Sequence, residues 1–125
     1  MVWTFLQVAI GGAVGAVLRY ASVLFATRSF GGSFPIGTLS VNVIGSLIMG
    51  FLVIFLTQRN WMNLSPLLLI GVLGGFTTFS AFSLDTYNLL SAGEISGTIY
   101  YLFLSVFLSI VALLLGIYLA RYFVG

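Results

Sequence analysis

The stretch Gly71-Val-Leu-Gly-Gly-Phe-Thr-Thr-Phe-Ser-Ala-Phe-Ser83 lies inside a long apolar run, yet carries glycines and hydroxyl side chains where a plain membrane helix would carry leucine. Glycine and threonine are weak helix formers, so a helix crossing this stretch is expected to break. Backbone groups released by a break cannot stay unpaired in hydrocarbon. They must be buried in protein, where such broken segments often coordinate an ion.

Outward from this stretch the chain stays apolar. Of its 125 residues 61% are hydrophobic and 5% charged, against the ~25% charged of an ordinary soluble domain. These residues cannot supply the polar exterior that water demands, so the exterior must face membrane lipid. A hydrocarbon core about 30 Å thick needs about 20 apolar residues per helix. Four segments meet that length: 2–26, 35–57, 66–90 and 95–122. The links between them carry Gly, Ser, Asn or charge, as turns do. Pro35 and Pro66 stand where a helix start tolerates proline, because no intrahelical N–H is lost there. The expected fold is a single all-α integral membrane domain of four transmembrane helices, the third broken near its middle.

Composition also excludes function classes. Without cysteine there is no disulfide frame or thiolate metal site, and without histidine there is no imidazole catalysis. The four basic residues are all arginines and form no cluster, which argues against nucleic acid. No phosphate-binding loop and no nucleophile paired with a base is present, so an enzyme is not expected. The first apolar stretch has no basic leader and is too long for a signal h-region, so it is expected to remain as the first helix.

Orientation normally follows the excess of Lys and Arg in cytoplasmic loops. With four spans, Arg59 and Arg121 fall on one side, and Arg28, with Arg19 about two turns inside the membrane end, on the other. This balance gives the chain almost no reason to insert one way only. Dual topology and an antiparallel homodimer are the expectation, and a second copy would supply walls that four short helices cannot.

Several polar or small residues recur inside the spans. Gly11, Gly12, Gly15 and Ala16 form overlapping small-xxx-small pairs that let helix backbones approach closely. Arg19 shares their stripe and should either face protein or water or snorkel to the headgroups. Thr38, Asn42, Gly45, Ser46 and Gly50 fall on one face of the second span. Asn42 offers two N–H donors, suited equally to an anion or to an interhelical hydrogen bond. Phe79 and Phe82 share a face, and their ring edges carry partial positive charge. Tyr101, Ser105 and Ser109 align at i, i+4 and i+8, either as a ladder of donors or as serines bonded to their own helix. This set is rich in donors. Asp85, toward a helix end, is the only acidic residue within a span, whereas a cation pathway would be expected to show carboxylate rings. A small anion fits the set better.

The same residues carry a family likeness. The stretches 11–20 (GGAVGAVLRY), 37–46 (GTLSVNVIGS) and 74–83 (GGFTTFSAFS) resemble, in order, the three signature motifs of the Fluc (CrcB) fluoride channels. The resemblance implies a fluoride-selective passive channel in a bacterial cell membrane that exports fluoride from the cytoplasm and relieves its toxicity. It implies a dual-topology homodimer with two antiparallel pores, in which Asn42 donates to fluoride. Phe79 and Phe82 would line the path, and Tyr101, Ser105 and Ser109 would form a polar track. It further implies a structural sodium ion at the dimer centre, held by backbone carbonyls that map to Gly74 and Thr77. Position 81 is Ala where the family often has Thr, and position 85 is Asp where Glu is common. The alternative is a proton-coupled exporter of the small multidrug-resistance type, also a four-span dual-topology dimer. Such proteins carry a glutamate within the first span, and none is present here.

Overall fold

The computed structural model describes residues 1–125, all helical apart from short connections. Helix α1 spans Val2–Phe30 and α2 spans Ile36–Gln58. After a short 3-10 turn at Met62–Leu64, the third span begins as a π-helix over Pro66–Leu73 and tightens into one α-turn, α3, at Gly74–Phe76. It then breaks at Thr77 and Thr78 and resumes as α4 over Phe79–Ser91. Helix α5 spans Ile95–Val124. Four helical segments are long and apolar enough to cross a membrane, and the third is bent in its middle.

Two helices outrun the apolar segments that mark them. Helix α1 continues through Thr27, Arg28 and Ser29 to Phe30, and α5 continues past Tyr122 to Val124. An apolar count sees only the part of a helix that lies in hydrocarbon; the backbone ladder continues into the headgroup layer until a residue such as Gly31, at φ 83°, ends it.

Glycines set the packing. A Cβ on Gly11 would strike the Leu67 carbonyl and the Gly71 backbone, and one on Gly15 would strike the Val72 carbonyl. On the facing side, a Cβ on Gly71 would lie 2.9 Å from the Gly11 Cα, and one on Gly75 would lie 2.6 Å from the Gly12 carbonyl oxygen. Helix α1 and the first half of the third span therefore cross backbone against backbone, as the small-xxx-small pattern predicts. A second close crossing joins α2 and α5, where Gly50 meets Leu113 and Gly116 meets Leu47 and Phe51. Helix α4 is different: it packs only on α5 and α2, and of its residues only Phe82 and Leu89 are buried.

The exterior is apolar along every span. Ile10, Val17, Ile70, Leu84, Val106, Ile110 and Leu114 are all among the exposed large side chains, as expected for a surface that lipid or another subunit covers rather than water.

Candidate functional site

The break in the third span is built from its own residues and two side chains that reach it from elsewhere. Thr77 and Thr78 are extended, with φ/ψ of −87°/156° and −151°/125°. Thr77 closes the helix before it, its N–H and its Oγ1–H both donating to the Leu73 carbonyl, at 3.0 and 2.9 Å. Thr78 opens the helix after it, its Oγ1 accepting from the Ala81 N–H at 3.0 Å. That is an N-cap, and it satisfies a donor that the helix start would otherwise leave orphaned.

Asn42 of α2 clamps the extended piece. Its Oδ1 accepts from the Thr78 N–H at 2.8 Å and its Nδ2 donates to the Thr78 carbonyl at 2.9 Å. The side-chain amide thus pairs with one residue as a neighbouring β-strand would, and one of its two N–H groups remains for another acceptor. Arg19 reaches in from α1, where its Nε donates to the Gly75 carbonyl at 3.0 Å. Of the two placements open to Arg19 in the sequence, the structure shows the one facing protein.

These bonds decide which carbonyls the break releases. In an unbroken helix the Thr78 N–H would go to Gly74 and the Ala81 N–H to Thr77. Here the first goes to Asn42 and the second to the Thr78 hydroxyl, and the Phe79 and Ser80 N–H groups make no bond back across the break, so the carbonyls of Gly74, Gly75, Phe76 and Thr77 all lose their ladder donors and only that of Gly75 finds another, Arg19. Gly74 lies on the exposed side of the chain.

Beside the break lies a cavity of about 340 Å³ between α2, α4 and α5. Asn42, Phe79, Phe82, Ser105 and Ser109 line it, together with Ser46, Thr77 and Thr78. Met49, Val106, Ile110 and Leu113 give it an apolar remainder. The structure thus brings together five of the six residues expected along the fluoride path, and Thr77 with them. Tyr101 stands just outside the lining. It is fully buried, its ring centroid is 5.3 Å from that of Phe82, and its hydroxyl donates to Asp85 Oδ2 at 3.1 Å. The Phe79 and Phe82 rings lie 5.4 Å apart, Phe82 buried and Phe79 78% exposed.

The two serines of α5 carry the most informative geometry. Ser83, Thr86 and Thr98 donate to the carbonyl four residues back, at 3.0, 2.8 and 2.7 Å, which satisfies a hydroxyl inside its own helix. The hydroxyls of Ser105 and Ser109 are buried and have no partner at all. A buried donor without an acceptor costs about 1–3 kcal/mol, so two such hydroxyls one helical turn apart beside one cavity are the candidates for contact with a ligand.

Two contributors were missed in the sequence as site residues. Thr78 had a legible signal, a threonine opening a helix three residues before a free N–H, as N-caps do. Ser46 sat on the Asn42 face but had no feature to set it apart from a packing serine.

Comparison with known proteins assigns the chain to a family. Residues 6–117 match the model of a family described as CrcB-like protein, Camphor Resistance (CrcB). The chain belongs to the CrcB-like family. Among its relatives, a protein of Paracoccus denitrificans named fluoride-specific ion channel FluC is 51% identical over 118 residues, 94% of each chain. Proteins of the same name from Cereibacter sphaeroides and Roseobacter denitrificans are 46% and 47% identical, covering 97% of each chain in the first case and 94% and 95% in the second. All three motifs of the CrcB-like resemblance lie within the matched residues.

Proposed function

We propose that this chain is a fluoride-selective passive channel in a bacterial cell membrane, multi-pass and not an enzyme. The observation that carries this is the pair of buried, partnerless hydroxyls of Ser105 and Ser109, facing Asn42 and two phenylalanine rings across one cavity. The spare Asn42 N–H and the serine hydroxyls can donate into the cavity, and no carboxylate lines it. Such a lining, with free donors and no carboxylate, suits a small anion. Fluoride holds its water tightly, so a path that selects it over chloride must offer donors at short range. The phenylalanine edges add a partial positive charge without adding an acceptor.

Passive export suffices for the physiology. Neutral hydrogen fluoride crosses lipid, dissociates in a more alkaline cytoplasm and leaves the anion trapped. The negative-inside potential then drives it out with about 2.3 kcal/mol per charge per 100 mV. The small multidrug-resistance alternative is not favoured by the relatives' names.

The working unit is an antiparallel homodimer of dual topology. The balanced arginines support it, and so do two features of the surface: Phe79, one wall of the cavity, is 78% exposed, and a Cβ on Gly12 would meet nothing within 4 Å. A second copy would cover both. A sodium ion at the two-fold axis would then be held by the Gly74 and Thr77 carbonyls of each copy. The donor set fits, since both are among the carbonyls deprived of ladder partners and a neutral, all-oxygen cage suits a hard monovalent cation. The ion would tie the subunits together and add positive charge near the path.

Purified protein in liposomes loaded with fluoride or chloride tests this proposal. Fluoride should leave without ATP or an imposed proton gradient while chloride stays. Equal loss of both ions, or fluoride movement only against a proton gradient, contradicts it.

A further inference from the structure

We infer that Ser46 is a fluoride-coordinating residue, donating from the α2 wall of the cavity opposite Ser109. This rests on the fluoride reading of the cavity and adds a donor to it.

Ser46 lies one helical turn beyond Asn42 on the same face of α2 and lines the same cavity as Ser105 and Ser109. Unlike Thr57 on the same helix, which donates to the Val53 carbonyl at 2.7 Å, it makes no bond to the carbonyl four residues back. That carbonyl belongs to Asn42, whose side chain is held on Thr78. With no bond of its own in the chain, the Ser46 hydroxyl is free to turn into the cavity it lines.

The crossing of α2 on α5 fixes how far it stands from the opposite wall. Gly50 seats against the Leu113 carbonyl, each four residues on from a cavity serine, Ser46 on α2 and Ser109 on α5. A backbone contact at that level holds the two helices at their closest approach, so the serines one turn above it face each other across the narrow end of the cavity. Met49 and Leu113 line the cavity with apolar side chains at the level of that contact.

Counting donors shows what Ser46 adds. Asn42 has one N–H left after binding Thr78, and Ser105 and Ser109 have one hydroxyl hydrogen each. These come from one point on α2 and one stripe of α5, and leave the α2 side of the narrow end bare. An anion moving past Ser109 would lose Asn42 before gaining anything on that wall. Ser46 fills the gap, and the ion keeps donors on both sides along one turn of helix.

The test uses the intact protein in liposomes, with Ser46→Ala and Ser46→Thr compared at equal amounts of assembled dimer, and with chloride loading as control. Ser46→Ala removes one oxygen and no packing volume that matters, so the protein should assemble as before. A hydrogen bond to a charged group is lost, and fluoride flux per dimer should fall about tenfold or more. Ser46→Thr restores the hydroxyl and should recover most of the flux, and chloride should stay excluded throughout. Wild-type flux in Ser46→Ala overturns the assignment. So does a loss that disappears when flux is counted per dimer, since that marks a packing role, or a Thr variant no better than Ala. Failure of the unaltered protein to conduct fluoride would instead overturn the channel reading itself.

Discussion

The two halves of the third span differ in composition, the first almost wholly apolar and the second mixed with Ser, Asp, Thr and Asn, and they do opposite things. The first half, Pro66–Leu73 with Gly74–Phe76, is pressed against α1 so tightly that a single added Cβ would enter a neighbouring backbone. The second half, Phe79–Ser91, packs only on α5 and α2 and leaves Phe79, Leu84 and Tyr87 exposed. The first half is an anchor, held by van der Waals contact between backbones, which is how helices associate where lipid is as apolar as leucine. The second half carries the ring edges of the cavity on a surface that still lacks a cover. A π-helix at the anchor fits this division, since its wider turn shifts the residues that follow it and such turns gather at functional sites.

The largest expected effect tests the anchor. Gly15→Ala places a methyl group in the Val72 carbonyl, and overpacking of that kind against rigid backbone costs about 1–3 kcal/mol or more. It should sharply reduce the yield of folded protein in a detergent-solubility assay. Gly12→Ala, whose methyl would meet nothing within 4 Å, should fold normally. If both fold alike, the crossing is looser than described; if Gly12→Ala folds but no longer dimerises, Gly12 marks the partner's surface.

Next comes the joint between the halves. Asn42→Asp keeps the acceptor for the Thr78 N–H but sets a carboxylate oxygen against the Thr78 carbonyl, where Nδ2 now donates at 2.9 Å. The variant should lose fluoride flux entirely, because repulsion of an anion in a path of low dielectric amounts to several kcal/mol. Flux at the wild-type level in liposomes would remove Asn42 from both the clamp and the path.

How much of this was legible in the sequence divides along the same joint. The break itself was readable because glycine and threonine are poor helix formers wherever they stand, and the stripes of Asn42 and of Tyr101, Ser105 and Ser109 were readable because helical spacing is local. The clamp was not. Asn42 meets Thr78 across 36 positions and Arg19 meets Gly75 across 56, and no local pattern encodes such a pairing. The π-helical turn was equally hidden, since Pro-Leu-Leu-Leu-Ile-Gly-Val-Leu is apolar on every face and shows no period to tell one helix type from another. The serines looked like any serine in a membrane helix until their hydroxyls were found without partners.

A smaller effect separates the two rings of the second half. Phe82→Ile removes ring contacts with Phe79 and Tyr101, at 5.4 and 5.3 Å between centroids, and should cost about 1 kcal/mol of stability as well as some flux. Phe79→Ile leaves the fold of one chain nearly untouched, because that side chain is 78% exposed. Reduced flux per dimer in Phe79→Ile, at unchanged thermal stability, would assign its ring edge to the path; unchanged flux would assign the ring to packing.

The smallest is Tyr101→Phe. It deletes the donor to Asp85 and leaves the ring tilted against Phe82 and edge-on to Phe34, 5.7 Å between centroids. A hydrogen bond of this kind contributes about 1 kcal/mol, so a modest fall in thermal stability and in flux is expected. A loss as complete as that of Asn42→Asp would place the Tyr101 hydroxyl in the path instead of beside it.

The central claim is that the partnerless hydroxyls of α5 meet the ion, whereas hydroxyls already bonded within their own helix do not. Fluoride flux from liposomes, measured side by side for the Ser105→Ala, Ser109→Ala double variant and a Ser83→Ala, Thr86→Val double variant, tests it most directly. The first pair removes the donors without bonds; the second removes hydroxyls that donate to Phe79 and Phe82 carbonyls at 3.0 and 2.8 Å. Flux per dimer should fall about tenfold or more in the first and stay near wild type in the second. Equal losses in the two, or wild-type flux without Ser105 and Ser109, would contradict the account.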